Sequence, residues 1–505
     1  MPGLRDTVVN GAVWATLQTL VAQGVGFVVS MVLARLLSPS DYGTVAMLSV
    51  FFAVAMSLSS CGFGNALVQK KEVGDLEFNS VFYVSLAISV VVYALFYFAA
   101  PYIAEFYHAP VLCPVTRVSA LSFVFNAING VQIAELNRKM RFDLRFRINL
   151  ITSVVSAACG ITLAYMGYGV WAIVTASLAS SIASVFAYWT IIAWRPKLMF
   201  SFAALRPLFS YGWKLSLSGL VHTVYSNLYG FIIGRCYTPA DLAFVNKGNS
   251  MPNLLMTSID GTINSVSFPA LAQIQDDKGK LRDGMRRMIQ CSTYLVFPLM
   301  AGLALCARLL LLVLYGGQWE PATPYVQIAC LSFALLPFNT INTNAISAMG
   351  RSDVFLALDC VKKAIGITLT IVSLRHGVVA FMLTMALVQS PVAILINTFA
   401  NGRLLGYDFV MQVKDVASSA LLTAAMSVVV YGFRILVTPL ADSVQMRTAA
   451  MIVELMFLSL IGALVYFGLS AWLKPRPFRE FAGAVRPLLN RKLPWTARFM
   501  ERMAG

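Results

Sequence analysis

Charge is scarce in this chain, and acid is scarcer than base. Only 12% of the 505 residues are charged, 22 acidic against 38 basic, while 58% are hydrophobic. A soluble protein carries about 25% charged residues, so a water-soluble globular protein is excluded. Histidine is nearly missing, with His108, His222 and His376 alone. No His-Glu-x-x-His pair or Gly-rich nucleotide loop occurs, and the eight cysteines show no Cys-x-x-Cys spacing. The chain thus lacks the signatures of zinc and nucleotide enzymes. The cysteines fall mostly inside apolar runs and read as small buried hydrophobes. Long polar segments are missing too: no loop between apolar runs exceeds about 20 residues. That leaves no room for a soluble catalytic domain on either face.

What is present is one apolar run of about 20 residues after another, the length that crosses a bilayer. Fourteen such spans can be counted, which makes the chain an all-α polytopic membrane protein. After Arg5 and Asp6 the first run is too long for a signal peptide and has no small-residue cleavage site, so it is expected to be a retained helix. The excess of base (net +16) lies in alternate loops and in the tail after residue 470; only Arg375 and Arg447 lie in the opposite loops. The excess is therefore a topology signal rather than a nucleic-acid footprint. It assigns both termini to the cytoplasm.

The chain repeats itself. Ser30-Met31-Val32-Leu33-Ala34-Arg35-Leu36-Leu37-Ser38-Pro39-Ser40-Asp41 returns as Gly230-Phe231-Ile232-Ile233-Gly234-Arg235-Cys236-Tyr237-Thr238-Pro239-Ala240-Asp241, with arginine, proline and aspartate at a shift of 200. Asn129 and Asn339, then Arg141-x-Asp143 and Arg351-x-Asp353, correspond at a shift of 210. Each copy holds six spans, so both enter the membrane in the same sense, as a parallel repeat. The expected organisation is a six-helix lobe over 1–207, a second over 208–410, two further helices over 411–470, and a basic tail over 471–505. Two similar bundles create a cleft suited to alternating access. The tail carries Trp472, Phe478, Phe481 and Trp495 and reads as either an interfacial segment or a disordered one.

Ionisable residues within spans are costly and are candidate functional groups. The basic candidates are Arg35, Arg235, Lys247, Arg308 and Arg117; snorkelling to the interface is the competing reading. Lys247 sits in Phe244-Val245-Asn246-Lys247-Gly248-Asn249 before Pro252, a polar and broken start to its span. The acidic candidates for ion coupling are Asp260 and Glu135. Asp359 reads as a helix pair with Lys362 and Lys363, and Glu454 as a deep acid outside the repeat. Amides form a third class: Asn339, Asn342 and Asn344, mirrored by Asn126 and Asn129. They can line a sugar path or bond across helices. Asp41 and Asp241 are expected to cap helices, and the small residues at 30/34 and 230/234 to permit close packing.

Arg5, Gly11-Ala12 and Trp14, then Leu33-Ala34-Arg35-Leu36-Leu37-Ser38-Pro39 with Asp41-Tyr42-Gly43, resemble the start of bacterial polysaccharide flippases. These are the Wzx or PST type of the MOP superfamily, especially the colanic-acid exporter and teichuronic-acid branch. Phe63-Gly64, Leu67-Val68-Gln69-Lys70-Lys71 and Phe268-Pro269-Ala270-Leu271-Ala272 with Ile274-Gln275-Asp276-Asp277 carry the similarity further. The resemblance implies fourteen helices in two six-helix lobes. It also implies a non-enzymatic carrier that moves an undecaprenyl-diphosphate-linked oligosaccharide to the outer leaflet for exopolysaccharide, capsule, O-antigen or other lipopolysaccharide export. It implies a bacterial inner-membrane location, cavity cations for the diphosphate, and no cofactor, with H+ or Na+ as driver. Polysaccharide polymerase and chain-length proteins are implied as partners. A multidrug or organic-cation antiporter of the same superfamily is the alternative; it would want acidic residues in the cavity, whereas the excess here is basic. A membrane polymerase or glycosyltransferase would need a long external loop.

Overall fold

The computed structural model describes residues 23–60, 62–70, 72–442 and 447–480. The motif residues Arg5, Gly11, Ala12 and Trp14, together with Lys71, Phe481 and Trp495, lie outside them. Among the described residues there is no strand. Contacts divide the chain into two compact units, Met1–Ala243 and Phe244–Gly505.

The first unit runs through α1 (Gln23–Leu36), α2 (Pro39–Met47), α3 (Ser49–Ser60), α4 (Phe63–Gln69), α5 (Asp75–Phe106), α6 (Leu112–Ser119), α7 (Leu121–Arg138), α8 (Phe142–Tyr165), α9 (Val170–Ile191) and α10 (Phe202–Cys236). It ends in the first residues of α11 (Pro239–Ala272). The second holds the rest of α11, α12 (Lys278–Tyr315), a 3-10 turn (Gly317–Ala322), α13 (Thr323–Ala334), α14 (Leu336–Ala348), α15 (Ser352–Leu374), α16 (Val378–Thr384), α17 (Ser390–Leu405), α18 (Phe409–Asp442) and α19 (Arg447–Leu473). A π turn, Met385–Gln389, joins α16 to α17.

Nine of the described helical segments are long and apolar enough to cross a membrane. α7, α10, α11 and α15 are 18, 35, 34 and 23 residues long but are richer in polar groups. The chain is a multi-pass helical membrane protein.

The two motif copies fold alike. At α2 the Ser38 hydroxyl accepts the Asp41 N–H (3.2 Å), while the Asp41 carboxylate accepts the Ser38 N–H (3.0 Å) and hydroxyl (2.6 Å). At α11 Thr238 and Asp241 repeat the three bonds, in the same order, at 3.2, 3.1 and 2.6 Å. Each is a reciprocal capping box followed by proline in the first turn, worth about 0.5–2 kcal/mol. Arg141 grips Asp143 through two bonds of 3.0 Å, and Arg351 grips Asp353 at 3.1 and 3.0 Å. Both follow a left-handed residue, Met140 (φ 52°) and Gly350 (φ 71°). Several loop cations serve as helix terminators: Arg138 donates to the carbonyls of Leu67 (3.0 Å) and Lys70 (2.7 Å), and Arg195 to those of Trp189, Ile192 and Trp194. Beyond the membrane spans, Asp277 accepts the Lys280 and Gly279 N–H groups, and these bonds hold its carboxyl below the usual carboxylate range.

Bare backbone sets the packing of the first unit. A Cβ on Gly43 would lie 1.7 Å from the Pro239 carbonyl oxygen, and one on Gly62 (φ 68°) 2.4 Å from that of Gly212. These approaches seat α10 and the start of α11 against the first unit. The packing boundary at 243/244 therefore falls beyond the sequence boundary at 207, which marks where the repeat restarts. Between α8 and α9 the contact is Gly160 against Ala176, where a Cβ on Gly160 would lie 2.9 Å away. Phe52, Phe96 and Phe123 form an edge-to-face triad of rings 5.1–5.9 Å apart. In the second unit, α12 is about 57 Å long at 1.5 Å per residue and packs against α13, α14, α18 and α19.

Gly43→Ala should lower the melting temperature of the purified chain, at a cost of about 1–3 kcal/mol for overpacking. Gly64→Ala, with nothing within 4 Å of its added Cβ, should leave it unchanged or raise it slightly. Thermal unfolding in detergent checks both.

Candidate functional site

The second unit gathers its polar groups around α11 and α14. α11 runs unbroken past Pro252 and presents Asn253, Thr257, Ser258, Thr262, Asn264 and Ser265 as exposed polar residues. In their midst Asp260 is half-buried. One of its oxygens accepts the Thr340 hydroxyl (2.8 Å) and the other the Asn264 amide (3.0 Å). The Asn264 carbonyl oxygen accepts from Asn344 (2.9 Å), whose amide also reaches the Ser267 hydroxyl (2.7 Å). One acidic and one amide candidate therefore share a network across α11 and α14.

The other amides of α14 face elsewhere. Asn342 is fully buried and exchanges bonds with Gln412 of α18 (2.9 and 3.1 Å). It also accepts from Asn401 of α17 (2.8 Å). It clamps helices and lines no surface. Asn339 accepts from Asn397 (2.7 Å), which also donates to Thr343 (3.0 Å) and accepts from Lys362 (3.3 Å). In the first unit Asn129 is buried and donates to Ser184 (2.7 Å), while Asn126 is half-buried with its amide 4.0 Å from the Met56 sulfur. Glu135 pairs with Lys139 one turn on (2.6 Å); its second oxygen is buried with no hydrogen-bond partner among the described residues.

The basic candidates do not form one cluster. Lys247 is buried, its ammonium 3.8 Å from the Tyr315 ring centre and 5.3 Å from that of Trp319. The sequence pattern places it in a broken, water-facing start to its span; the helix is instead continuous there and the lysine is caged. Next to it, Gly248 lets α11 approach α13 closely, because a Cβ on it would meet Tyr325 at 2.5 Å. A desolvated cation over rings of this kind gains about 2 kcal/mol or more. Arg308 binds Glu320 (2.8 Å), and Arg117 lies over the Tyr97 ring (4.4 Å) and donates to its carbonyl (3.3 Å). Arg235 is exposed beside Phe106 (5.3 Å), and Arg35 is exposed near the end of α1.

One buried carboxylate carries no signal in the sequence pattern. Asp415 near the start of α18 accepts from Arg286 (2.7 Å), Gln290 (2.9 Å) and the Tyr407 hydroxyl (2.9 Å). Its pairing tightens α12 against α18. For the neighbouring amide clamp, the spacing Asn397-Thr398-x-x-Asn401 within an apolar run is the available signal.

Residues 32–324 match a family model described as polysaccharide biosynthesis protein. The chain is 26% identical to the lipopolysaccharide biosynthesis protein WzxC of Escherichia coli (strain K12), over 79% of this chain and 80% of that one. It is 22% identical to the teichuronic acid biosynthesis protein TuaB of Bacillus subtilis (strain 168), over 89% and 93%. Among solved structures it resembles the lipid II flippase MurJ in an inward closed conformation, with a TM-score of 0.67 at 16% identity, covering 91% of this chain and 98% of that one. An inward-facing multidrug resistance MATE transporter of the MOP superfamily matches at a TM-score of 0.59 and 13% identity, over 78% and 97%. The structural likenesses establish the fold as the one these transporters share. With the family model spanning more than half of its length, the chain belongs to the polysaccharide biosynthesis protein family.

Proposed function

We propose that this protein flips a polyprenyl-diphosphate-linked oligosaccharide, of the undecaprenyl class, across the bacterial cytoplasmic membrane by alternating access. The observation that carries the reading is the exposed hydroxyl and amide face of α11, set on a helix long enough to span the membrane. Sugar hydroxyls exchange hydrogen bonds with such groups at no charge cost, and an ionisable residue such as Asp260 in their midst faces the bundle interior or a water-filled cavity rather than lipid. WzxC, TuaB and MurJ, by their names, serve polysaccharide biosynthesis or flip lipid II. Arg35 and Arg235, both exposed, are the candidates for holding the diphosphate. Arg308 pairs with Glu320, Arg117 lies on Tyr97, and Lys247 would first have to leave its rings.

An apolar cleft of about 420 Å³ between α12, α18 and α19, walled by Leu295, Leu299, Leu310, Leu455, Leu458 and Phe467, suits an isoprenoid tail. Asp260 is the proposed coupling group for H+ or Na+, with Glu135 second. Protonation would turn an acceptor of two hydrogen bonds into a donor and loosen α11 from α14 at Thr340. Ion binding that favours one conformation supplies the bias a flippase needs. The charge asymmetry of the loops supports cytoplasmic termini. A multidrug antiporter is the weaker reading, because an organic cation calls for several acidic groups, and the polar face of α11 carries hydroxyls and amides with Asp260 as its one carboxylate.

Removal of the protein from its host should stop surface polysaccharide export and accumulate lipid-linked repeat units on the cytoplasmic side, as read by lipid extraction and glycan labelling. Intact export would overturn the flippase reading. Arg35→Ala and Arg235→Ala should each lower export severalfold at unchanged protein level; full export in both would remove them from the diphosphate site. Asp260→Asn should flatten the pH or sodium dependence of export, and an unaltered profile in complemented cells would exclude coupling through this residue.

A further inference from the structure

The loop between α17 and α18 places two opposite charges in one cleft and leaves them apart. Arg403, in the last turn of α17, and Asp408, just before α18, both line a cavity of about 650 Å³ whose walls include Leu395, Phe399, Phe409 and Val410. Neither residue makes an ion pair among the described residues. The Arg403 guanidinium rests on the Phe399 ring at 4.3 Å, and its N–H groups remain available. One oxygen of Asp408 accepts the Met411 N–H (2.9 Å) and caps α18; the other is uncommitted. The two ends of the turn lie close, a Cβ on Gly402 falling in ordinary contact with the Asp408 Cα at 3.5 Å. Gly406 (φ 66°) reverses the chain between them.

The location is a membrane edge. Two of the apolar segments able to span, Val378–Leu405 and Phe409–Leu436, end and begin on either side of this turn. Residues 406–408 therefore lie at headgroup depth, and the apolar walls lie beside acyl chains. Whatever fills the cleft carries a hydrocarbon body and, at its polar end, an anion for Arg403 next to a hydrogen-bonding cation for Asp408.

We propose that this cleft is a binding site for an aminophospholipid of the phosphatidylethanolamine class, with the lipid phosphate on Arg403 and the primary ammonium on Asp408. Phosphatidylglycerol supplies the phosphate but brings no cation to Asp408. Phosphatidylcholine supplies the charge pair, but its quaternary nitrogen has no N–H to donate. The chemistry of the pair thus selects one headgroup of the three.

The test is native mass spectrometry of the full chain, released from nanodiscs of equimolar phosphatidylethanolamine, phosphatidylcholine and phosphatidylglycerol with identical acyl chains. The expected result is retention of phosphatidylethanolamine about fivefold above phosphatidylcholine, the discrimination that one N–H hydrogen bond to Asp408 supplies. The preference should fall to parity in Asp408→Asn, while Arg403→Gln, which loses the phosphate contact common to these lipids, should lower total retention and Arg403→Lys should keep it. Asp408→Asn keeps an amide cap for Met411, so it carries the test if Arg403→Gln does not fold. Val410→Trp, which fills the cleft without touching a charge, should abolish retention. Absence of a preference in the wild type, its survival in Asp408→Asn, unchanged total retention in Arg403→Gln, or a preference for phosphatidylglycerol would each overturn the proposal. The readout is bound lipid rather than transport, so its failure leaves the flippase reading untouched, and failure of the flippase reading leaves this site in place.

Discussion

Within the apolar slab a polar side chain must find its partner in the protein, and α14 is where this chain meets that demand most densely. Five of six consecutive residues, Asn339 to Asn344 with Ile341 as the exception, carry amides or hydroxyls. An unmade hydrogen bond on a buried group costs about 1–3 kcal/mol, so each of these residues dictates what stands opposite. Asn342 requires Gln412 and Asn401, Asn339 requires Asn397, and Thr340 and Asn344 require Asp260, Asn264 and Ser267. One short helix thereby fixes the registers of α11, α17 and α18 at once. Apolar contacts among the same helices, such as Ile341, Ile394 and Tyr407 in one cluster, supply packing without specifying register.

That hub also marks how far the sequence can be read. Composition and run length are enough for the class, and the repeated Ser/Thr-Pro-x-Asp motif is enough for both helix caps, because a capping box is a local object. The partition of the amides is legible as well, though only through helical geometry. Thr340 and Asn344 stand one turn apart on one stripe, while Asn339, Asn342 and Thr343 turn toward other helices. Treating the three asparagines as one sugar-lining group ignores the roughly 100° between neighbours. Asp260, Asn264 and Ser267 fall on a single stripe of α11 by the same rule, which is why they meet α14 together.

What the sequence withholds is long-range partnership. Asp415 looks like an ordinary charge near a helix start until Arg286 and Gln290, 129 and 125 residues earlier, are placed beside it. Lys247 looks solvent-facing because Asn246, Asn249 and Pro252 surround it, and no local rule reports that Tyr315 and Trp319 close over it. The ion pair of Arg308 with Glu320 is the opposite case. Twelve residues and one tight turn separate them, so the pairing is within reach of a closer reading of that turn.

The repeat gives the lysine its meaning. At the shift of 200 that superposes the two motifs, Val45 corresponds to Val245 and Met47 to Lys247. Both positions are buried, Met47 at 2% exposure and Lys247 at 7%. The helix starts are built alike down to the hydrogen-bond lengths of their caps, so the change from methionine to lysine falls on an unaltered scaffold. A thioether at such a site costs nothing, whereas an ammonium deep in a membrane helix costs about 2.5–3.5 kcal/mol on insertion scales. The faces of Tyr315 and Trp319 return about 2 kcal/mol or more of that. The distinction between the two copies is thus energetic rather than architectural: the same buried position takes a thioether in one and an ammonium held against two aromatic rings in the other.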